Sequence, residues 1–94
     1  MARYRTRIKE HIFMASAHQE RGNKPPVSFK QISLETGIPY NTVRRYANTD
    51  QKNPNYAIVD TIRKYLNGFL PEDERLGDSG YISEVESGQF VAVA

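Results

Sequence analysis

The sequence predicts an all-α fold, a compact bundle of four or five helices with room for one short C-terminal β-hairpin. Three observations carry that prediction. Apolar residues recur at helical spacing over residues 8–19 and again over 56–66. Between those stretches, residues 28–46 read as two short helices joined by a glycine turn. Alternation of apolar and polar residues, the mark of a strand, is confined to the region after Gly80.

The first helix is expected over residues 8–19. Ile8, Ile12 and Ala15 share one face, and Met14 and Ala17 widen it. His11 and His18 lie on this helix with no further ligands beside them, and they read as surface or boundary residues rather than a metal pair. Arg21, Gly22 and Asn23 end the helix. Ahead of it, Arg3, Arg5 and Arg7 alternate with neutral residues. That segment reads either as an arm laid on phosphates or in a minor groove, or as a frayed start. Behind it, Pro25 and Pro26 stiffen the link to the next element.

Residues 28–46 organise the rest. Ser28 is a good N-cap, and Gln31 three residues on completes a capping box. The helix that follows carries Phe29, Ile32 and Ser33 inward and ends near Thr36. Gly37 stands where a helix C-cap needs positive φ, and Ile38 plugs the turn. Pro39 suits the first position of the next helix, expected over residues 39–47. Val43 and Tyr46 face the core, while Tyr40, Asn41, Arg44 and Arg45 face out. A short polar and basic helix held by a glycine turn has the form of a helix-turn-helix reading unit.

A polar loop over residues 47–53 follows, with Lys52 placed to touch a nucleic-acid backbone. Asn53 is expected to cap a further helix with Pro54 at its first position, and Tyr56, Val59, Ile62 and Leu66 form its core stripe, broadened by Ile58 and Tyr65. Asn67 and Gly68 close it. Pro71 begins a short turn whose acids, Glu72, Asp73 and Glu74, suit a helix N-terminus. The tail reads either as a hairpin of residues 81–86 against 89–94 or as a disordered end. The expected organisation is one domain over residues 1–76 and a tail over 77–94 that serves as a hairpin or a dimerisation segment.

Composition narrows the function classes. A chain of 94 residues fits one small domain with little core to enclose a deep catalytic cleft. Cysteine is absent, so neither a disulfide scaffold nor a thiolate metal site can form. No stretch approaches the roughly 20 apolar residues of a membrane span, and the N-terminal region lacks the apolar run of a signal peptide, so a cytoplasmic protein is expected. The net charge of +2 is unevenly spread. Residues 1–47 hold nine Lys and Arg against three Asp and Glu, whereas residues 48–94 hold four against eight. A basic half that contains the outward-facing helix suits a polyanion. No nucleophile, base and orienter come together in the sequence, so no enzyme activity, cofactor or metal is expected.

Over residues 28–66 the chain resembles the Cro and phage lambda repressor type of helix-turn-helix domain. Ser28, Ile32 and Ser33 fall where that family has a cap, an aliphatic core residue and a small residue at the helix crossing. Gly37 and Ile38 match its turn, Val43 its buried aliphatic, and Pro54, Tyr56, Val59, Ile62 and Leu66 its following helix. Two features depart from the family: Phe29 stands where Gln is frequent, and residues 23–26 lengthen the link before Ser28. The resemblance implies a dimeric transcription regulator, a repressor, that binds double-stranded DNA. It implies DNA-facing positions for Tyr40, Asn41, Arg44 and Arg45. The chemistry agrees, since Asn pairs bidentately with adenine and Arg with guanine. Lys30, Lys52, Arg3, Arg5 and Arg7 complete the expected DNA-binding set. The alternative is a protein-interaction module that keeps the helical core without binding DNA, a reading favoured by the acidic second half and the apolar tail.

Overall fold

The computed structural model describes residues 3–85. In chain order these form β1 (Arg3–Thr6), α1 (Ile8–Arg21), α2 (Phe29–Thr36), α3 (Tyr40–Asn48), α4 (Tyr56–Asn67), one 3-10 turn (Glu72–Glu74) and β2 (Ile82–Val85). The molecule is mainly helical, with a two-stranded antiparallel sheet.

Helix α1 begins under a bidentate Arg7–Glu10 pair, at 2.9 Å for both contacts. It ends where the Gly22 N–H donates to Gln19 and Asn23 takes φ +59°, a left-handed conformation that Asn tolerates better than most residues. Its buried residues are Ile8, His11 and Ala15. The expected core stripe is corrected at two points: Ala17 is exposed and His11 is fully enclosed, while Ile12 packs half-buried against the cluster. His11 belongs inside because the Tyr81 hydroxyl reaches its Nδ1 at 2.8 Å and gives the ring a polar partner there.

The link to α2 is stitched to α1. The Val27 N–H donates to Ser16 Oγ at 3.0 Å, and buried Val27 stands at the staple position opposite buried Ile32. Ser28 caps α2 by accepting the Gln31 N–H at 3.1 Å. Gly37 takes φ +79°, and its N–H donates to the Ser33 carbonyl at 3.0 Å. Ile38 is buried in the turn, as its position required. Pro39 sits one residue before α3 rather than in its first turn, and its carbonyl accepts Thr42 and Val43. On the inner side of α3, Val43 and Tyr46 are buried.

Helix α4 starts two residues later than the Asn53 cap would place it. The Tyr46 hydroxyl accepts the Asn55 N–H at 2.8 Å and fixes Asn55 as the cap, and Asn55 Oδ1 then accepts Ala57 and Ile58. Val59, Ile62 and Leu66 are buried as expected. Tyr56 is 63 % exposed, because the first turn of the stripe reaches past the buried cluster to the surface. After α4, the chain folds back along it. Asn67 clips Leu76 from both sides, donating to its carbonyl at 2.8 Å and accepting its N–H at 2.9 Å.

The boundary expected after residue 76 does not separate a body from a tail. Tyr81 is 1 % exposed and joins the core cluster of all four helices, and the Arg7 N–H donates to its carbonyl at 2.9 Å. Strand β2 pairs antiparallel with β1, with Arg3 opposite Val85, Tyr4 opposite Glu84, Arg5 opposite Ser83 and Thr6 opposite Ile82. Residues 3–6 are thus a strand rather than a free arm or frayed start. The expected second hairpin strand, 89–94, lies outside the described residues.

Candidate nucleic-acid interface

The outward face of α3 is built by its inward one. Val43 and Tyr46 are held in the core, so residues one third of a turn or more away must point out. Tyr40, Asn41, Arg44 and Arg45 are all exposed on α3. Asn48 continues the face one turn beyond Arg44 and is exposed too. Sequence reasoning missed it by ending the helix at residue 47, although its spacing of four from Arg44 and seven from Asn41 places it on that face. Asn41, Arg44, Arg45, Asn48 and Thr49 line a shallow groove of about 300 Å³.

Neighbours position these side chains. The Arg45 guanidinium lies 5.7 Å from the centre of the Tyr46 ring, a cation–π contact that biases its direction. Tyr40 meets Phe29 edge-on with ring centres 6.4 Å apart. These two and Lys30 border a second shallow groove, of about 290 Å³, together with Ser28. Phe29 therefore supports Tyr40 at a position where a polar side chain could have reached a ligand. Lys30, on α2, and Lys52, in the loop after α3, are both exposed.

The three N-terminal arginines are placed differently. Arg3 is exposed on β1. Arg5 pairs with Asp50 through both guanidinium arms, Nε to Oδ1 at 2.9 Å and Nη2 to Oδ2 at 3.2 Å, and this raises its already high pKa. Arg7 pairs with Glu10, whose carboxyl is held below its ordinary range by that contact. Both charges are thus engaged on the protein's own surface.

The last turn of α3 is unusually well bonded. The Arg45 carbonyl accepts the Thr49 N–H at 2.9 Å, the Thr49 hydroxyl at 2.7 Å and the Gln51 side-chain amide at 3.3 Å. The Tyr46 carbonyl accepts the Thr6 hydroxyl at 2.8 Å. Tyr4 and Gln51 exchange both backbone bonds, at 2.7 and 2.8 Å. Beside this end, a cleft of about 750 Å³ opens between α1, β1 and α3, bordered by Lys9, Phe13, Met14 and Asn48.

His11 is strongly displaced by its burial in the core. Burial lowers its pKa to about 4, overcoming the opposing influence of nearby Asn67. Its Nε2 reaches no partner at hydrogen-bond geometry among the described residues. Burial likewise pushes the Tyr81 phenol well above its usual value, and that of Tyr65 to about 12 with help from Glu35. Among the described residues, no three His, Cys, Asp or Glu side chains come together to hold a metal, and no helix is long and apolar enough to cross a membrane.

Comparison with protein-family models, with curated proteins and with solved structures finds no match for this chain.

Proposed function

We propose that this protein is a sequence-specific DNA-binding transcriptional regulator, a dimeric repressor acting in the cytoplasm, with α2 and α3 as its helix-turn-helix. One observation carries the reading: Asn41, Arg44 and Arg45 stand exposed on one face of a short helix whose other face is locked into the core by Val43 and Tyr46. Asn and Arg are the side chains that read adenine and guanine bidentately, and a rigid mount is what such readout needs. In this reading α3 enters the major groove, Tyr40 meets a thymine methyl or a phosphate, and Lys30 and Lys52 contact the flanking backbone. Two copies on a two-fold operator double these contacts.

The test is selection of bound duplexes from a random library, followed by mobility shifts at rising salt. A selected consensus bound more tightly than random duplex, with affinity falling as salt rises, is the expected result. A protein that selects nothing would leave the interaction module. One observation favours that second reading: Phe13 is 78 % exposed at the border of the 750 Å³ cleft, apolar surface that a partner protein would cover.

A further inference from the structure

Strand β1 makes three successive contacts with the end of α3 and the turn after it. Tyr4 bridges Gln51 through both backbone bonds, Arg5 grips Asp50 with two, and the Thr6 hydroxyl donates to the Tyr46 carbonyl. Thr6 is 8 % exposed, and its oxygen also accepts the Ile8 N–H at 3.4 Å, so one side chain ties the start of α1 to the end of α3. The last carbonyls of a helix have no partner within it, and here a different strand supplies one. The other end of α3 is fixed by Gly37 and Pro39. A rod held at both ends has its tilt set by the positions of its two supports.

We propose that Thr6 and Arg5 are positioning residues, and that β1 is a strut setting the angle at which Asn41, Arg44 and Arg45 meet the duplex. The discriminating role rests on the DNA-binding reading of α3; the anchoring itself does not. The strut also accounts for Asp50. A lone carboxylate beside a phosphate-facing surface would repel it, whereas paired with Arg5 it holds the turn with its charge neutralised. Arg5 accordingly works through α3 and not on a phosphate.

The test compares Thr6→Val, Thr6→Ser, Arg5→Gln, Asp50→Asn and the Arg5→Gln/Asp50→Asn double variant of the full chain. The first readout is amide exchange in the free protein at Gln51, whose N–H bonds across this joint to Tyr4, and at Thr49, whose N–H closes the last turn of α3 on Arg45. Thr6→Val and Arg5→Gln should speed exchange there roughly tenfold beyond any change in α1 and α4, and Thr6→Ser should restore it. The second readout is the ratio of selected to random duplex affinity. It should fall roughly tenfold with the salt slope unchanged, and the two Arg5–Asp50 single variants and their double should behave alike, as members of one interaction do. Unchanged exchange at Thr49 and Gln51 overturns the strut. So does an Arg5→Gln loss that lowers the salt slope by about one while Asp50→Asn tightens binding, because Arg5 would then be a phosphate contact. A wild-type protein that selects no duplex overturns the DNA reading and the discriminating role with it, while faster exchange in the variants still establishes the anchor. Should Thr6→Val fail to fold, the exposed Arg5–Asp50 pair carries the same comparison.

Discussion

His11 is kept neutral inside the core, and that makes stability depend on pH. Its pKa is lowered to about 4 in the folded protein, against about 6.5 in an unfolded chain. Between those values the unfolded state binds the proton and the folded state does not. Stability is therefore full above pH 6.5, declines as pH falls towards 4 by up to about 1.4 kcal/mol per unit, and loses nothing more from this group below that. Urea midpoints measured from pH 7 to 4 should show this slope, and His11→Gln, which keeps a partner for Tyr81, should flatten it. The burial was not legible in the sequence, because a helical pattern scores His as polar. Its partner Tyr81 is 70 residues away, beyond the reach of any local spacing rule. The α3 face was legible, since one buried Val and one buried Tyr at a spacing of three fix which residues point out. At that face, Arg44→Ala or Arg45→Ala should leave the fold intact and cost about 1–3 kcal/mol at any guanine the residue reads. Mobility shifts on duplexes changed at single positions would measure it. Asn41→Ala should relax specificity more than it lowers non-specific affinity.

At the scale of elements, the turn between α2 and α3 depends on one backbone angle. Gly37 has φ +79°, and nothing lies within 4 Å of where a Cβ would be. Gly37→Ala would thus meet no clash and only the left-handed strain, so thermal unfolding should report a loss of about 1–2 kcal/mol. Asn at the same place should lose less. Capping chemistry at Ser28 and Gly37 is local, which is why the start and end of α2 could be read directly from residue type. The start of α4 could not, because Asn53 and Asn55 are both good caps and a hydroxyl from Tyr46 on another helix selects between them. Strand β1 was missed for a similar reason. Arg3, Tyr4, Arg5 and Thr6 carry no apolar alternation, and the segment is a strand because Ile82–Val85 and Gln51 supply partners on its two sides.

For the whole molecule, among the described residues β2 pairs with β1 alone, and its other side is an edge through which the proposed dimer could be tested. Tyr4 turns its N–H and carbonyl towards Gln51, so the Tyr4–Glu84 pair is a non-hydrogen-bonded one and the Glu84 N–H faces outward. If the dimer forms through this edge, Glu84→Pro should abolish it and leave β1–β2 pairing and the monomer fold intact, since proline is tolerated where an edge N–H faces solvent. Sedimentation of the variant checks this, and an unchanged dimer would exclude the edge. A truncation that tests residues beyond the strand must keep Tyr81, which is part of the core, so the stop belongs after Val85.

The closure of β1 on β2 also fixes an order of events as the chain is made. Residues 3–6 are synthesised ahead of the rest of the described chain, yet their strand partner is residues 82–85 and the mate of His11 is Tyr81. The helices form from near neighbours and need not wait, whereas these contacts close the longest loop in the described chain and bear its entropic cost. A nascent chain held on the ribosome before Tyr81 has emerged would carry formed helices over an unfilled gap at His11. Resistance to protease should therefore appear abruptly, only once the exposed length passes residue 85.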